Sequence, residues 1–138
     1  MRKLWFFYFV TVLTLHAKVL LVITNRNFPT DHVTPKELKA IYLDKKHLIK
    51  QQKLLPINYE SNHPLRHCFE KQVLKKNRRA LERYWLTAHY HGKQPPKVVK
   101  SKSMLLAYIK SVNGAIGYID DNTSLPNDIK IVMKLECP

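Results

Sequence analysis

At 138 residues, with 24 Lys and Arg against 10 acidic side chains and a formal charge of +14, the chain has room for one domain with one modest core. Its 45% apolar content and 3 glycines exclude a disordered or collagen-like polymer despite that charge. It has no internal repeat and no low-complexity tract.

Residues 1–17 have the layout of a secretory signal. Arg2 and Lys3 form a positive start, Leu4 to Leu15 is apolar, and Ala17 offers a small residue for cleavage, although Leu15 makes the site imperfect. The run falls short of the ~20 residues that span a bilayer, and Lys18 interrupts its extension into Val19–Ile23. Export to the periplasm with cleavage is therefore expected, leaving a domain at 18–138; the alternative is a membrane tether made by an uncleaved signal. Losing Arg2 and Lys3 takes two charges from +14 and leaves +12. Outside the cytoplasm such a charge suits small oxyanions, anionic envelope components or a membrane protein. Nucleic acid is disfavoured, because the basic residues are spread out and lack interleaved aromatics.

Val19–Ile23 is a β-branched apolar run that predicts a strand buried on both faces. Thr34-Pro35-Lys36-Glu37 has the pattern of a capping box, and Leu38, Ile41 and Tyr42 mark one helix face ending near Asp44. Lys45 to Lys53 reads as a polar surface connection. Leu54–Tyr59 predicts a second strand, with Pro56 favouring an edge or a strand end. Pro64 starts a helix with Leu65, Cys68, Phe69 and Val73 inward, and Asn77 caps another with Leu81, Tyr84, Trp85 and Ala88 on one face. Gly92 and Pro95-Pro96 close it. Ser101 or Ser103 caps a last helix, Gly114 stops it in a left-handed conformation, and Gly117 sits in the next strand where a close approach is expected. Ile129–Leu135 predicts a final strand. The alternation gives an α/β domain, a mixed sheet of about four strands flanked by helices.

Thr34–Asp44, Leu55-Pro56-Ile57, Pro64-Leu65-Arg66 with Phe69, Tyr84-Trp85 and Asn113–Ile119 follow one another in an order that resembles phosphate ABC-transporter substrate-binding proteins over about residues 19–120. The resemblance implies a single lobe of a type II periplasmic-binding-protein fold and a non-catalytic, solute-binding role. It also implies an anion site at the entry to the Pro64 helix, where the family carries an Arg and then Ser-Gly-Thr. Here His63-Pro64-Leu65 stand in place of Ser-Gly-Thr, and the other lobe's Gly-rich loop has no counterpart. Pro64 lacks an N–H and Leu65 a hydroxyl, so Ser61, Asn62, a protonated His63 and Arg66 are left as a reduced site for a small oxyanion such as phosphate, held weakly.

No nucleophile, base and orienting group fall into a catalytic pattern, so an enzyme is not expected, and neither is a cofactor. His63 with His67, and His89 with His91, have spacings that two metal ligands can use but lack a third donor nearby, so no metal is expected. Cys68 suits an apolar stripe as a buried thiol, while an even count in an exported chain suits a Cys68–Cys137 disulfide; both readings stand.

Overall fold

The computed structural model describes residues 3–12 and 18–138. The expected cleavage position, Ala17, lies outside them, as does Arg2. Residues 3–12 form no regular element and their large apolar side chains are exposed. Among the described residues no helix is long and apolar enough to cross a membrane.

The strands are β1 (Lys18–Asn25), β2 (Leu48–Ile49), β3 (Gln52–Lys53), β4 (Leu55–Tyr59), β5 (Lys97–Val99), β6 (Ala115–Asp120) and β7 (Ile129–Cys137). The helices are α1 (Pro35–Tyr42), α2 (Pro64–Phe69), α3 (Arg78–His89) and α4 (Lys102–Ser111). Five strands form one mixed sheet in the order β5-β4-β6-β1-β7. β4 runs parallel to β5 and β6, and β1 is antiparallel to both its neighbours. The sheet has one strand more than expected, because the short β5 follows two prolines and carries only one buried residue, Val99. The connection at 45–53 also holds structure, the β2–β3 hairpin, whose turn residues Lys50 and Gln51 both have positive φ.

Local chemistry explains the boundaries. The Thr34 hydroxyl accepts the Glu37 N–H at 3.1 Å, but the Glu37 carboxylate faces Lys46 at 3.8 Å, so only half of the capping box forms. Asn77 and Ser101 cap α3 and α4 by accepting from Ala80 and Met104. α2 does not stop at Phe69: it widens into a π-helical turn over Glu70–Leu74 and ends at Lys75 in the left-handed region, φ 52°. Pro56 lies in an internal strand, not an edge. It is tolerated there because β5 begins pairing only at Ile57, so no ladder asks Pro56 for an N–H on that side.

The core has two layers around the sheet. On one face α4 packs Leu105 over Gly117. On the other, Tyr42 from α1, Phe69 from α2, Tyr59 and Tyr118 form an aromatic cluster; Phe69 and Tyr118 stack with centroids 4.3 Å apart and planes 3° apart. A bulge in β7 leaves Val132 out of register with β1, and its carbonyl accepts the Val33 N–H at 3.1 Å. Cys68 and Cys137 form a disulfide, Cα–Cα 5.7 Å, tying the end of β7 to α2. A loop of 69 residues corresponds to ~4 kcal/mol in the chain-entropy account.

The glycines differ in what they tolerate. Gly114 has φ +86°, and a Cβ there would lie 1.9 Å from the Lys53 carbonyl oxygen. The close approach expected at Gly117 is made by a side chain, Leu105 at 3.1 Å, and not by backbone. Gly117→Val is expected to lower stability by about 1–3 kcal/mol through overpacking. Gly114→Ala is expected to lower it further, since backbone cannot yield as Leu105 can. Urea midpoints check the order, and an unchanged midpoint for Gly114→Ala would contradict it.

Candidate functional site

The carboxyl ends of the parallel strands β4, β5 and β6 open onto one rim, where connections leave on both sides of β4. In open α/β sheets this is where ligands are met. β1 begins and β7 ends at the same rim. A pocket of about 290 Å³ lies there, lined by Lys18, Tyr59, His63, Lys102 and Asp120 among others.

His63 is the N-cap of α2: its Nδ1 accepts the Leu65 N–H at 3.2 Å, and its ring stacks on Tyr59 with centroids 4.1 Å apart. A cap that accepts at Nδ1 needs the neutral ring, with the proton on Nε2. Partial burial also lowers the His63 pKa, against the pull of Asp120 and with a push from Lys102. The protonated His63 invoked by the sequence is thus disfavoured by the same contact that starts the helix. Ser61 and Asn62 lie exposed in the turn just before it, and the Ser61 carbonyl accepts from Arg78 at 2.6 Å.

Arg66 points elsewhere. Its Nη1 donates to the Tyr59 carbonyl at 2.7 Å and its Nε lies 3.7 Å from the Glu70 carboxylate. Glu70 is buried and also takes Arg78 at 3.0 Å. Two guanidiniums on one buried carboxylate satisfy an otherwise costly charge. They line a separate groove of about 600 Å³ beneath Trp85, Leu86 and Tyr90. Of the four candidates only His63 lines the rim pocket; Ser61 and Asn62 stay in the exposed turn after β4 and do not line it, and Arg66 lines the separate groove.

The sequence passed over Lys102, Asp120 and Thr123. Lys102 Nζ donates to Asp120 at 2.9 Å and to Thr123 at 2.7 Å, and Thr123 also donates to Asp120 at 2.7 Å. The Lys102 hydrogen bond is the main reason the Asp120 carboxyl sits below its usual range. The available signal was an acid at the end of a buried strand, where a side chain must face the rim. Tyr59 is buried and its hydroxyl has no hydrogen-bond partner among the described residues, and burial raises its pKa. Among the described residues no three His, Cys, Asp or Glu side chains converge as metal ligands.

No protein-family model and no curated protein sequence matches the chain. Solved structures do. An ABC-type phosphate transport receptor from Vibrio cholerae matches with a TM-score of 0.65 at 21% identity, over 84% of this chain and 46% of that one. A structure described as a phosphate ABC transporter substrate-binding protein from Clostridium perfringens, with phosphate bound, gives 0.67 at 17% identity over 84% and 44%. PstS from Borrelia burgdorferi gives 0.65 at 18% over 84% and 47%.

The chain has the fold of one lobe of a type II periplasmic-binding protein. It spans less than half the length of each of these three chains.

The His63 cap makes a pH prediction. Because the folded pKa lies below the ordinary value of 6.5, the unfolded chain binds the proton first as pH falls. His63 therefore contributes stability that is present above pH ~6.5 and is lost as pH drops through the folded value. His63→Asn keeps a good capping side chain without a titrating group. Wild type is expected to lose stability relative to this variant between pH 7.5 and 5, measured by urea unfolding; parallel pH profiles would contradict it.

Proposed function

We propose that the protein is an exported, non-catalytic binding module related to phosphate receptors, with a reduced anion site at the rim. The observation that carries this reading is the match of 84% of the chain to just under half of a phosphate transport receptor and of a substrate-binding protein holding phosphate. A bound anion would meet a wall of His63 and Lys102, which line the rim pocket beside Asp120 and Asp121, and Ser61 and Asn62 would reach it from the exposed turn before α2. Arg66 supports that wall from behind through the Tyr59 carbonyl. Export is supported by the signal-like residues 1–17 and by the Cys68–Cys137 bond, which suits an oxidising compartment such as the periplasm. The mature protein is expected to begin near Lys18. Intact mass of the exported protein checks this, and a membrane-bound species retaining Met1 would support the uncleaved tether instead.

Such a site is weak. One wall leaves an anion open to water, which screens each charged bond. Pro64 offers no N–H, the Leu65 N–H is spent on His63, and the Lys102 charge is largely matched by Asp120. Phosphate is expected to bind no tighter than about millimolar, ~4 kcal/mol. In calorimetry, Lys102→Ala is expected to weaken what binding exists, because it removes a cation and uncovers Asp120, while Arg66→Ala acts less strongly. Micromolar affinity at physiological salt would overturn this reading. A second reading, an envelope interaction protein whose basic surface meets an anionic macromolecular or membrane partner, is favoured by cations on the outer face of α3. It differs in showing no saturation by a small anion at defined stoichiometry.

A further inference from the structure

We propose that a concave pocket on the outer face of α3 is a second ligand site, for a soluble compound carrying several linked phosphate groups. The pocket holds about 470 Å³ and shares no residue with the rim pocket. Five of its lining side chains are basic or imidazole (Lys45, Lys76, Arg83, His91 and Lys93), and none is acidic. Tyr84 forms its floor, fixed by its hydroxyl donating to the Leu43 carbonyl.

The charges are gathered and not merely present. The ammonium groups of Lys45 and Lys76 both lie over the Tyr84 ring, 5.6 and 5.8 Å from its centroid. Lys93 is held in place by the Asp44 carbonyl at 2.9 Å. Lys45, Lys76, Arg83 and Lys93 form no ion pair among the described residues. Asp44, whose charge reaches Tyr84, is taken by the His47 Nδ1 and the Gln94 N–H, each at 2.9 Å. Like charges converging on one ring repel, and a bound anion relieves all the repulsions together. Lys as a point charge and Arg as a fork are both suited to phosphate oxygens. The five basic or imidazole groups, from α1's exit, the turn before α3, α3 itself and the loop after it, outnumber the charges of one small oxyanion and suit a short phosphate chain. The volume falls in the range of small-molecule sites, about 300–1,000 Å³.

The test is calorimetric titration of the purified full-length protein with sodium tripolyphosphate, orthophosphate and phosphatidylglycerol vesicles, at about 150 mM salt, where long-range attraction is screened. Tripolyphosphate is expected to bind at one-to-one stoichiometry at least about tenfold more tightly than orthophosphate. The triple variant Lys45→Ala, Lys76→Ala, Arg83→Ala is expected to lose that binding about tenfold or more, and exposed Arg83→Ala alone to lose part of it. The charge-matched triple Lys36→Ala, Lys110→Ala, Lys134→Ala, at exposed positions on other elements, is expected to leave it within about twofold. Equal weakening by both triples would reduce the effect to net charge and overturn the site. Equal affinity for orthophosphate would overturn the multivalent ligand, and binding to vesicles without binding to tripolyphosphate would assign the face to a membrane and overturn the soluble one.

Discussion

The pairing of β4 with β6 is short, and the rest of the structure depends on how its loss is made good. Only Leu55 with Ala115 and Pro56 with Ile116 remain in register before the two strands separate. Backbone groups freed inside a core must find other partners. The Tyr42 hydroxyl lies 2.7 Å from the Ile57 carbonyl and 3.1 Å from the Ile116 carbonyl, sharing its one proton between the diverging strands. Further along, Asn58 Oδ1 accepts from both the Tyr118 hydroxyl and the Tyr59 N–H. A net energy near 1 kcal/mol for each such bond understates their value here, because each unmade bond would leave a buried polar group without water. The stacked Phe69 and Tyr118 rings then seal the gap, which fixes where α2 leaves the sheet and so where the rim stands.

Two kinds of electrostatics coexist on this small domain. At the rim, Lys102 is answered by Asp120, and His63 is held neutral by its role as a cap. Beneath the neighbouring groove, Glu70 answers Arg66 and Arg78. On the outer face of α3, Lys45, Lys76, Arg83 and Lys93 form no ion pair among the described residues, and the nearby Asp44 carboxylate is taken by His47 and Gln94. The excess positive charge of the chain is therefore not uniform: where side chains are buried or structural it is neutralised, and where α3 faces outward it is not. Surface ion pairs contribute little to stability, so leaving these cations unpaired costs the fold little and keeps them available to an anion.

Much of the architecture was legible in the residues. The Val19–Ile23 run, the helix faces of α1 and α3, the Asn77 cap and the left-handed conformation of Gly114 carry local signals strong enough to survive packing, although α4 ends earlier than Gly114, at Ser111 with Val112 extended. β5 and the β2–β3 hairpin were not legible, because strands of two or three residues are made by their partners and not by their own composition. The π-helical turn was equally silent, as nothing in Glu70–Leu74 distinguishes it from an ordinary helix. Of the candidate residues, His63 lies at the rim because a turn between a strand end and a Pro-started helix can go only there, while Ser61 and Asn62 stay exposed in that turn without lining the pocket. Arg66 did not stay with them, since its direction was set by Glu70, a partner whose burial depends on the tertiary fold. The convergence of Lys45, Lys76 and Lys93 was hidden for the same reason: they are far apart in sequence and only the packing of α3 against the end of α1 brings them together.

The crosslink between β7 and α2 also bears on how the domain would respond to force. β7 is an edge strand, and a load applied at its C-terminal end would ordinarily peel its bonds to β1 one after another, a low-resistance geometry. With Cys137 joined to Cys68, tension arriving at Pro138 passes into α2 before it reaches the β1–β7 ladder. α2 is anchored through Phe69 in the aromatic cluster, so the pull is borne by the core as a whole. The exposed edge thus behaves mechanically as part of the interior.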